Sequence, residues 1–351
     1  MARNIAVALI GAIGDVILST PLLQALRDGC PDARITYMVG TTSAPVVYGL
    51  NCFDDIILID DRPNPGLSST ADLLRQVVRA KIDVSISLSR SNRLSSVFWA
   101  ARVPRRIGFT PLRTSYLLTD EIYSYGEPQG SAHRTRYFLA AAEALGIPQP
   151  KQVELQYRIS ESEGENARNM LRVAGVDPTA QRIVGIHPGT SRINMEKRRW
   201  SSTNFIEVAR QLGSRGYRIL LFGGPDEIQD CQAIAQALGP AAIDFSGKLE
   251  LRQFAAVLKN CHVLINLDSS PLHLAGAIGV PVVGIFGHNN QRLWGPLDSQ
   301  SRVVRLDLPC SPCTPDFVCG RSFECIRTLP VSDVIEAVES ILDTLSGVRT
   351  V

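Results

Sequence analysis

Short, almost wholly apolar runs alternate with amphipathic stretches along the first half of the chain, stop, and then begin again. The first series predicts strands over 5–10, 34–39, 55–59 and 83–88, and helices over 16–27, 69–80, 93–101 and 131–145. Strands apolar on both faces need cover on both sides. Alternation with helices supplies it, so the pattern dictates a parallel, doubly wound sheet. The second series predicts strands over 182–187, 217–222, 262–267 and 281–286, with helices over 202–215, 226–238, 251–260 and 272–278. Between the two lies a stretch, 146–181, with three Pro and the charged run Glu161-Ser162-Glu163-Gly164-Glu165. It reads as an interdomain crossing plus one helix over 163–174. A single core stops growing at roughly 250–300 residues, and this chain has 351. The expected fold class is therefore α/β, with two Rossmann-like doubly wound domains facing a central cleft. The first spans 1–165 and the second 166–328, and a terminal helix in 329–351 is expected to pack back toward the first domain.

A net charge of +2 gives no bulk attraction to nucleic acid. Arg3 before the run 5–10 imitates a signal peptide, but Gly11 to Asp15 breaks the run and no small-residue cleavage site follows. No run of 18 apolar residues exists to span a membrane. The expectation is a cytoplasmic protein, peripheral at the inner face of the membrane.

Ligands of open α/β sheets sit beyond the carboxyl ends of the strands, so the loops there carry the chemistry. After the first strand comes Gly11-Ala12-Ile13-Gly14-Asp15. Gly11 and Gly14 permit a tight turn and close backbone approach. Asp15 has two readings: a helix N-cap, or a carboxylate that takes a proton from an acceptor hydroxyl. A dinucleotide fingerprint would need G-x-G-x-x-G and an acid ending strand 2, where the chain has Met38-Val39-Gly40. No P-loop motif is present either.

In the second half, Pro188-Gly189-Thr190-Ser191 follows a strand and offers hydroxyls and free N–H groups to phosphate oxygens. Lys197, Arg198 and Arg199 precede Trp200 and form either a neutraliser of a leaving diphosphate or a solvated basic patch. Gly223-Gly224-Pro225-Asp226-Glu227 lets a flat ring approach the backbone, with Glu227 placed for ribose hydroxyls and Asp226 for capping. Most informative is Asn266-Leu267-Asp268-Ser269-Ser270-Pro271-Leu272-His273. A buried strand ends in an acid and two Ser. Pro271 suits the first helical turn, whose N–H groups and dipole welcome an anion. His273 lies one turn further on, either a core histidine or a group facing the donor.

Gly14-Asp15, Lys197 to Trp200, and Asp268 to Ala275 with Gly284-Ile285-Phe286-Gly287 together resemble glycosyltransferase family 9. These are the ADP-heptose enzymes of lipopolysaccharide inner-core assembly, and the resemblance covers nearly the whole chain in order. It implies a GT-B fold, inversion at the anomeric carbon, no required cofactor and no catalytic metal. It further implies Asp15 as base and Asp268 on the donor sugar. The turn from Ser269 through Ser270 to His273 would hold the diphosphate, Thr190 and Ser191 the phosphates, and Glu227 the ribose. Arg198 stands where the family usually has Lys, and Ser270 where Gly is common.

From Arg79 to Arg113 there are eight basic residues and one acid, Asp83. With Gly14, the bases Arg90 and Arg93 are expected on the acceptor side, facing an anionic glycolipid or oligosaccharide; solvated helix faces are the plainer account. Cys310, Cys313, Cys319 and Cys325 fall within sixteen residues and admit a structural zinc site, free thiols or a disulfide. The function expected is transfer of a sugar, heptose from ADP-heptose, to a lipopolysaccharide-type acceptor. The alternatives are a GT-B transferase using another nucleotide sugar, a UDP-sugar epimerase, and a sugar-nucleotide binding protein without turnover.

Overall fold

The computed structural model describes residues 4–62, 64–110, 113–123, 132–190, 199–313 and 318–348. It divides into two compact units, Met1–Arg158 and Ile159–Val351. The first holds strands β1 (Asn4–Leu9), β2 (Arg34–Gly40), β3 (Asp55–Ile59), β4 (Val84–Ser87), β5 (Arg105–Thr110) and β6 (Asp120–Tyr123). They pair in parallel in the order β3-β2-β1-β4-β5-β6. Helices α1 (Ile13–Gly29), α2 (Leu67–Ala80), α3 (Asn92–Ala100) and α4 (Arg134–Glu143) connect them. The strand order reverses between β1 and β4, so the loops leaving those two strands diverge and open a crevice. Ile10 N–H donates to Ser89 Oγ at 3.3 Å, tying the two loops together at that point. The central strand is sealed on both faces: Ala6, Val7 and Ala8 have no exposed surface. Tyr37 is equally buried, and its hydroxyl shares a 2.8 Å hydrogen bond with Ser19.

The second unit opens with α5 (Glu161–Val173) and holds β7 (Ile183–His187), β8 (Arg218–Leu221), β9 (Ala242–Asp244), β10 (Val263–Leu267), β11 (Val282–Ile285) and β12 (Arg302–Val304). Its parallel order is β12-β11-β10-β7-β8-β9, with the reversal between β7 and β10. The helices are α6 (Ser202–Ser214), α7 (Ile228–Leu238), α8 (Leu251–Leu258), α9 (Ser270–Ala277), α10 (Gln291–Trp294), α11 (Glu324–Arg327) and α12 (Val331–Val348). Both sheets are the doubly wound, parallel kind that the two alternating series dictate.

The helix expected from 163 begins two residues earlier, so the whole acidic run lies in the first turns of α5. Ser160 and Glu163 form a capping box there, and acids suit a helix N-terminus. Glu163 also pairs with Arg252 of α8, which places α5 in the second unit. The terminal helix belongs to the second unit's core. Val334, Ile335, Val338, Ile341 and Leu342 recur at helical spacing and pack in one cluster with Val208, Ile265 and Ile285. The buried Trp200 joins this cluster, and its indole N–H donates to the Leu329 carbonyl at 3.1 Å.

Candidate functional site

In the second unit, the loops after β7, β8, β10 and β11 come together at the sheet's carboxyl edge. The loop after β7 carries Thr190, nearly buried, whose Oγ1 has no hydrogen-bond partner among the described residues. His187, at the end of β7, is half-buried, and its Nδ1 has no hydrogen-bond partner among the described residues. Burial lowers its pKa to about 4, so the ring is neutral. A buried hydroxyl without a partner is costly and rare. Thr190 is thus an unfilled donor or acceptor at the position expected to meet phosphate. Ser191, Lys197 and Arg198 lie outside the described residues.

Glu227 lies across this loop. A Cβ on Gly189 would collide with the Glu227 side chain, and one on Gly223 would fall 2.5 Å from its Cβ. Glycine is required at both places so that the carboxylate can sit against backbone. Glu227 accepts the Gly224 N–H at 2.8 Å, and burial pushes its carboxyl pKa upward. Arg199 pairs at 2.6 Å with Asp230, which also accepts from Ser202 at 2.7 Å. That guanidinium is therefore engaged with α7.

The loop after β10 completes the arrangement. Asp268 is buried and its carboxylate accepts a hydrogen bond from the Asn289 amide, in the loop after β11. Ser269 is the N-cap residue of α9, yet its hydroxyl does not cap the helix. It accepts from Asn266 Nδ2 at 3.2 Å and donates to the Gly189 carbonyl at 3.4 Å. One serine thus staples the β10 loop to the β7 loop and leaves the first turn of α9 without a side-chain cap. Ser270 opens that helix and Pro271 follows within its first turn; His273, one turn in, is buried. Sequence reasoning missed Asn289 and His187. Asn289 reaches Asp268 because β11 borders β10 in the sheet, a neighbourhood that sequence spacing does not show.

In the first unit, Asp15 is not the N-cap of α1. That place is held by Ala12, and Asp15 stands in the first turn, beside the buried Gly14. Burial raises its carboxyl pKa; the Arg134 guanidinium and the Ala12 backbone oppose the rise. Arg134 Nε stands 3.8 Å from Asp15 Oδ1. No sequence signal singled out Arg134, because only the packing of α4 on α1 brings it there. Arg93 makes three hydrogen bonds inside the unit, to the Asp60 carbonyl (2.8 Å), Ser69 (2.9 Å) and Thr70 (3.1 Å). Arg105 pairs with Asp120, and Arg106 donates to the carbonyls of Leu117 and Val103. Three of the eight bases are thus part of the fold's own bonding. Arg90 is exposed in the loop after β4, at the strand reversal.

All four clustered cysteines are free thiols. Burial, with Cys313, Cys319 and Cys310 nearby, pushes the Cys325 thiol up to about 11. Among the described residues, no three His, Cys, Asp or Glu side chains are grouped to hold a metal ion. The segment touches the loop after β11: Ser311 Oγ donates to the Gly287 carbonyl at 2.7 Å and Cys313 N–H to the His288 carbonyl at 2.8 Å. It props the loop that carries Asn289. No helix among the described residues is long and apolar enough to cross a membrane.

The sequence profile described as "Glycosyltransferase family 9 (heptosyltransferase)" matches residues 71–319. A lipooligosaccharide heptosyltransferase 2 of Campylobacter jejuni is 29% identical over 343 residues, which is 94% of this chain and 95% of that protein. The solved structure of a family 9 glycosyl transferase from Veillonella parvula superimposes with a TM-score of 0.85 at 25% identity, covering 97% of this chain and 98% of that one. The structure of Escherichia coli ADP-heptose LPS heptosyltransferase II gives 0.80 at 21% identity, over 98% and 99%.

Proposed function

The chain belongs to glycosyltransferase family 9, and from that premise we propose that it transfers heptose from ADP-heptose to a lipopolysaccharide-type acceptor, with inversion and without a metal. The observation that carries the reading is the set of groups gathered at one edge of the second sheet. They are an unfilled buried hydroxyl on Thr190, an uncapped first turn of α9, and two carboxylates, Asp268 and Glu227, set back from it. Backbone N–H groups, hydroxyls and a helix dipole suit a diphosphate. Recessed carboxylates suit the hydroxyls of a sugar and a ribose.

Asp15 is the proposed base. It takes the acceptor hydroxyl proton as the oxygen bonds to the anomeric carbon, while the bond from that carbon to the diphosphate oxygen breaks. Fixed donors around the diphosphate stabilise the charge that leaves, a task also proposed for Ser191, Lys197 and Arg198. A carboxylate whose pKa is raised by burial is a better base than one in water.

The acceptor is proposed to be anionic, met by Arg90 and held at a bilayer surface. Exposed Arg102 and Arg113, with exposed Trp99 and Tyr116 in the same unit, suit anionic lipid headgroups.

The test is direct. Purified protein is screened by thermal shift against ADP, UDP, GDP and NAD, then assayed with ADP-heptose and a lipid-linked acceptor in the presence of EDTA. Selective stabilisation by ADP and EDTA-resistant turnover to the inverted anomer are expected. Preference for another base would favour a transferase with a different donor, and tight ADP binding without turnover would favour a binding protein.

A further inference from the structure

The first turn of α4 is an odd place for a cation. Helix N-termini carry partial positive charge, so Arg134 and Arg136 both oppose the dipole there. Arg136 has an evident structural task, donating to the carbonyls of Pro150 and Lys151. Arg134 instead turns toward Asp15, with Nε 3.8 Å from Oδ1. Its guanidinium carbon lies 4.3 Å from the centre of the Tyr137 ring and 4.7 Å from that of Phe138. Tyr137 in turn stacks on Phe109 at 4.1 Å, and Phe109 and Phe138 are buried. An arginine held over two rings gives up its usual freedom and presents its charge in one direction.

We propose that Arg134 is the positioning residue for Asp15: an aromatic-clamped guanidinium that fixes the direction of the carboxylate and keeps it charged for proton transfer. The inference rests on Asp15 serving as base. The other groups around Asp15 do not supply this charge. From β2 comes Tyr37, buried, hydrogen-bonded to Ser19, and pushed still further toward its neutral form by burial. The 3-10 turn Ala44–Val47 brings no titratable side chain, and the adjoining Ser43 hydroxyl is spent on the Gly11 carbonyl. On α4 itself, the N-cap His133 is bonded to Thr135 and Arg136 is committed elsewhere. Burial alone would favour the protonated, idle form of Asp15, and Arg134 opposes it. Burial thus raises the carboxyl pKa and Arg134 opposes the rise, so the acid is poorly solvated and faces a fixed cation, which is the setting a base needs.

The test uses the whole chain and the variants Arg134→Gln and Arg134→Lys, with circular dichroism to verify folding. Carboxyl-labelled aspartate is followed by NMR, with the Asp15 signal identified by its loss in Asp15→Asn. In Arg134→Gln the Asp15 midpoint is expected to rise by about one unit, and the acid limb of kcat/KM to move up with it. Arg134→Lys keeps a charge without the planar clamp, so it should hold the midpoint nearer the native value while kcat falls. An Asp15 midpoint unchanged in both variants overturns the proposal, because a mere staple between α1 and α4 would alter stability alone. Near-normal turnover by Asp15→Asn defeats the base assignment instead, while the NMR midpoint still decides what Arg134 does to Asp15.

Discussion

The side-chain amide of Asn289 donates a hydrogen bond to the carboxylate of Asp268, joining the loop after β11 to the loop after β10. Asp268 is buried, and a buried carboxylate needs donors to stay both charged and aimed. Removing the amide in Asn289→Ala leaves the acid short of one charge-assisted bond, whose net worth is about 1.5–3 kcal/mol. Since Asp268 is proposed to hold the donor sugar, donor KM should rise about tenfold or more. Acceptor KM should stay near the wild-type value. Steady-state kinetics with each substrate varied in turn distinguishes this from general damage, which would move both.

Gly189 and Glu227 give a sharper steric test. A methyl at position 189 meets the Glu227 side chain, so Gly189→Ala must push that carboxylate away from the loop. Thermal stability should fall and nucleotide binding weaken, and both are read by a melting curve with and without ADP. Because the clash needs both side chains, the double variant Gly189→Ala with Glu227→Ala should regain much of the stability while still binding ADP poorly. Two losses that simply add would show that the pair is not in contact.

Glu163 and Arg252 make a pH-dependent tie between α5 and α8. The Arg252 guanidinium, with help from Ser160, holds the Glu163 carboxyl down at about 2, against an ordinary 4.5. A carboxyl depressed on folding stabilises the native state above its unfolded pKa and loses that effect as pH falls through the folded one. Wild type should therefore melt above Arg252→Ala at pH 7. The gap should narrow between about pH 5 and pH 2. The side chains are partly exposed, so added salt should shrink it as well.

Much of this was legible in the residues because local chemistry and fold agreed. Alternating apolar runs gave both sheets, and loops rich in Gly, Ser and Asp at strand ends marked Asp15, Thr190, Glu227 and Asp268. Strands β5 and β6 escaped because they open on Arg105 and Asp120, a charged pair that masks the apolar run behind it. At three residues each, β9 and β12 are too short for periodicity to show. Arg134 and Asn289 were invisible for a different reason. Each is an ordinary polar residue until a helix or a neighbouring strand packs it against an acid, and no spacing rule encodes that. Arg93, expected on the acceptor side, is also held by the fold's own carbonyl and hydroxyls, a commitment that spacing does not show.

His187 should make the protein acid-sensitive beside its phosphate loop. Its ring lies 6.3 Å from that of Phe254, and burial holds it neutral down to about pH 4. In the unfolded chain the same imidazole takes a proton near 6.5. Between those values the unfolded state binds more protons than the native one, so stability drops as pH falls. His187→Gln removes the titration but keeps polar atoms at the end of β7. At pH 8 the variant should melt at or below the wild type, since a fitted ring has been lost. At pH 5 the difference should shrink or reverse, because only the wild type then meets the protonation penalty. Melting curves at both pH values, with and without ADP, check the sign; a constant difference would mean that the ring is solvated in the native state.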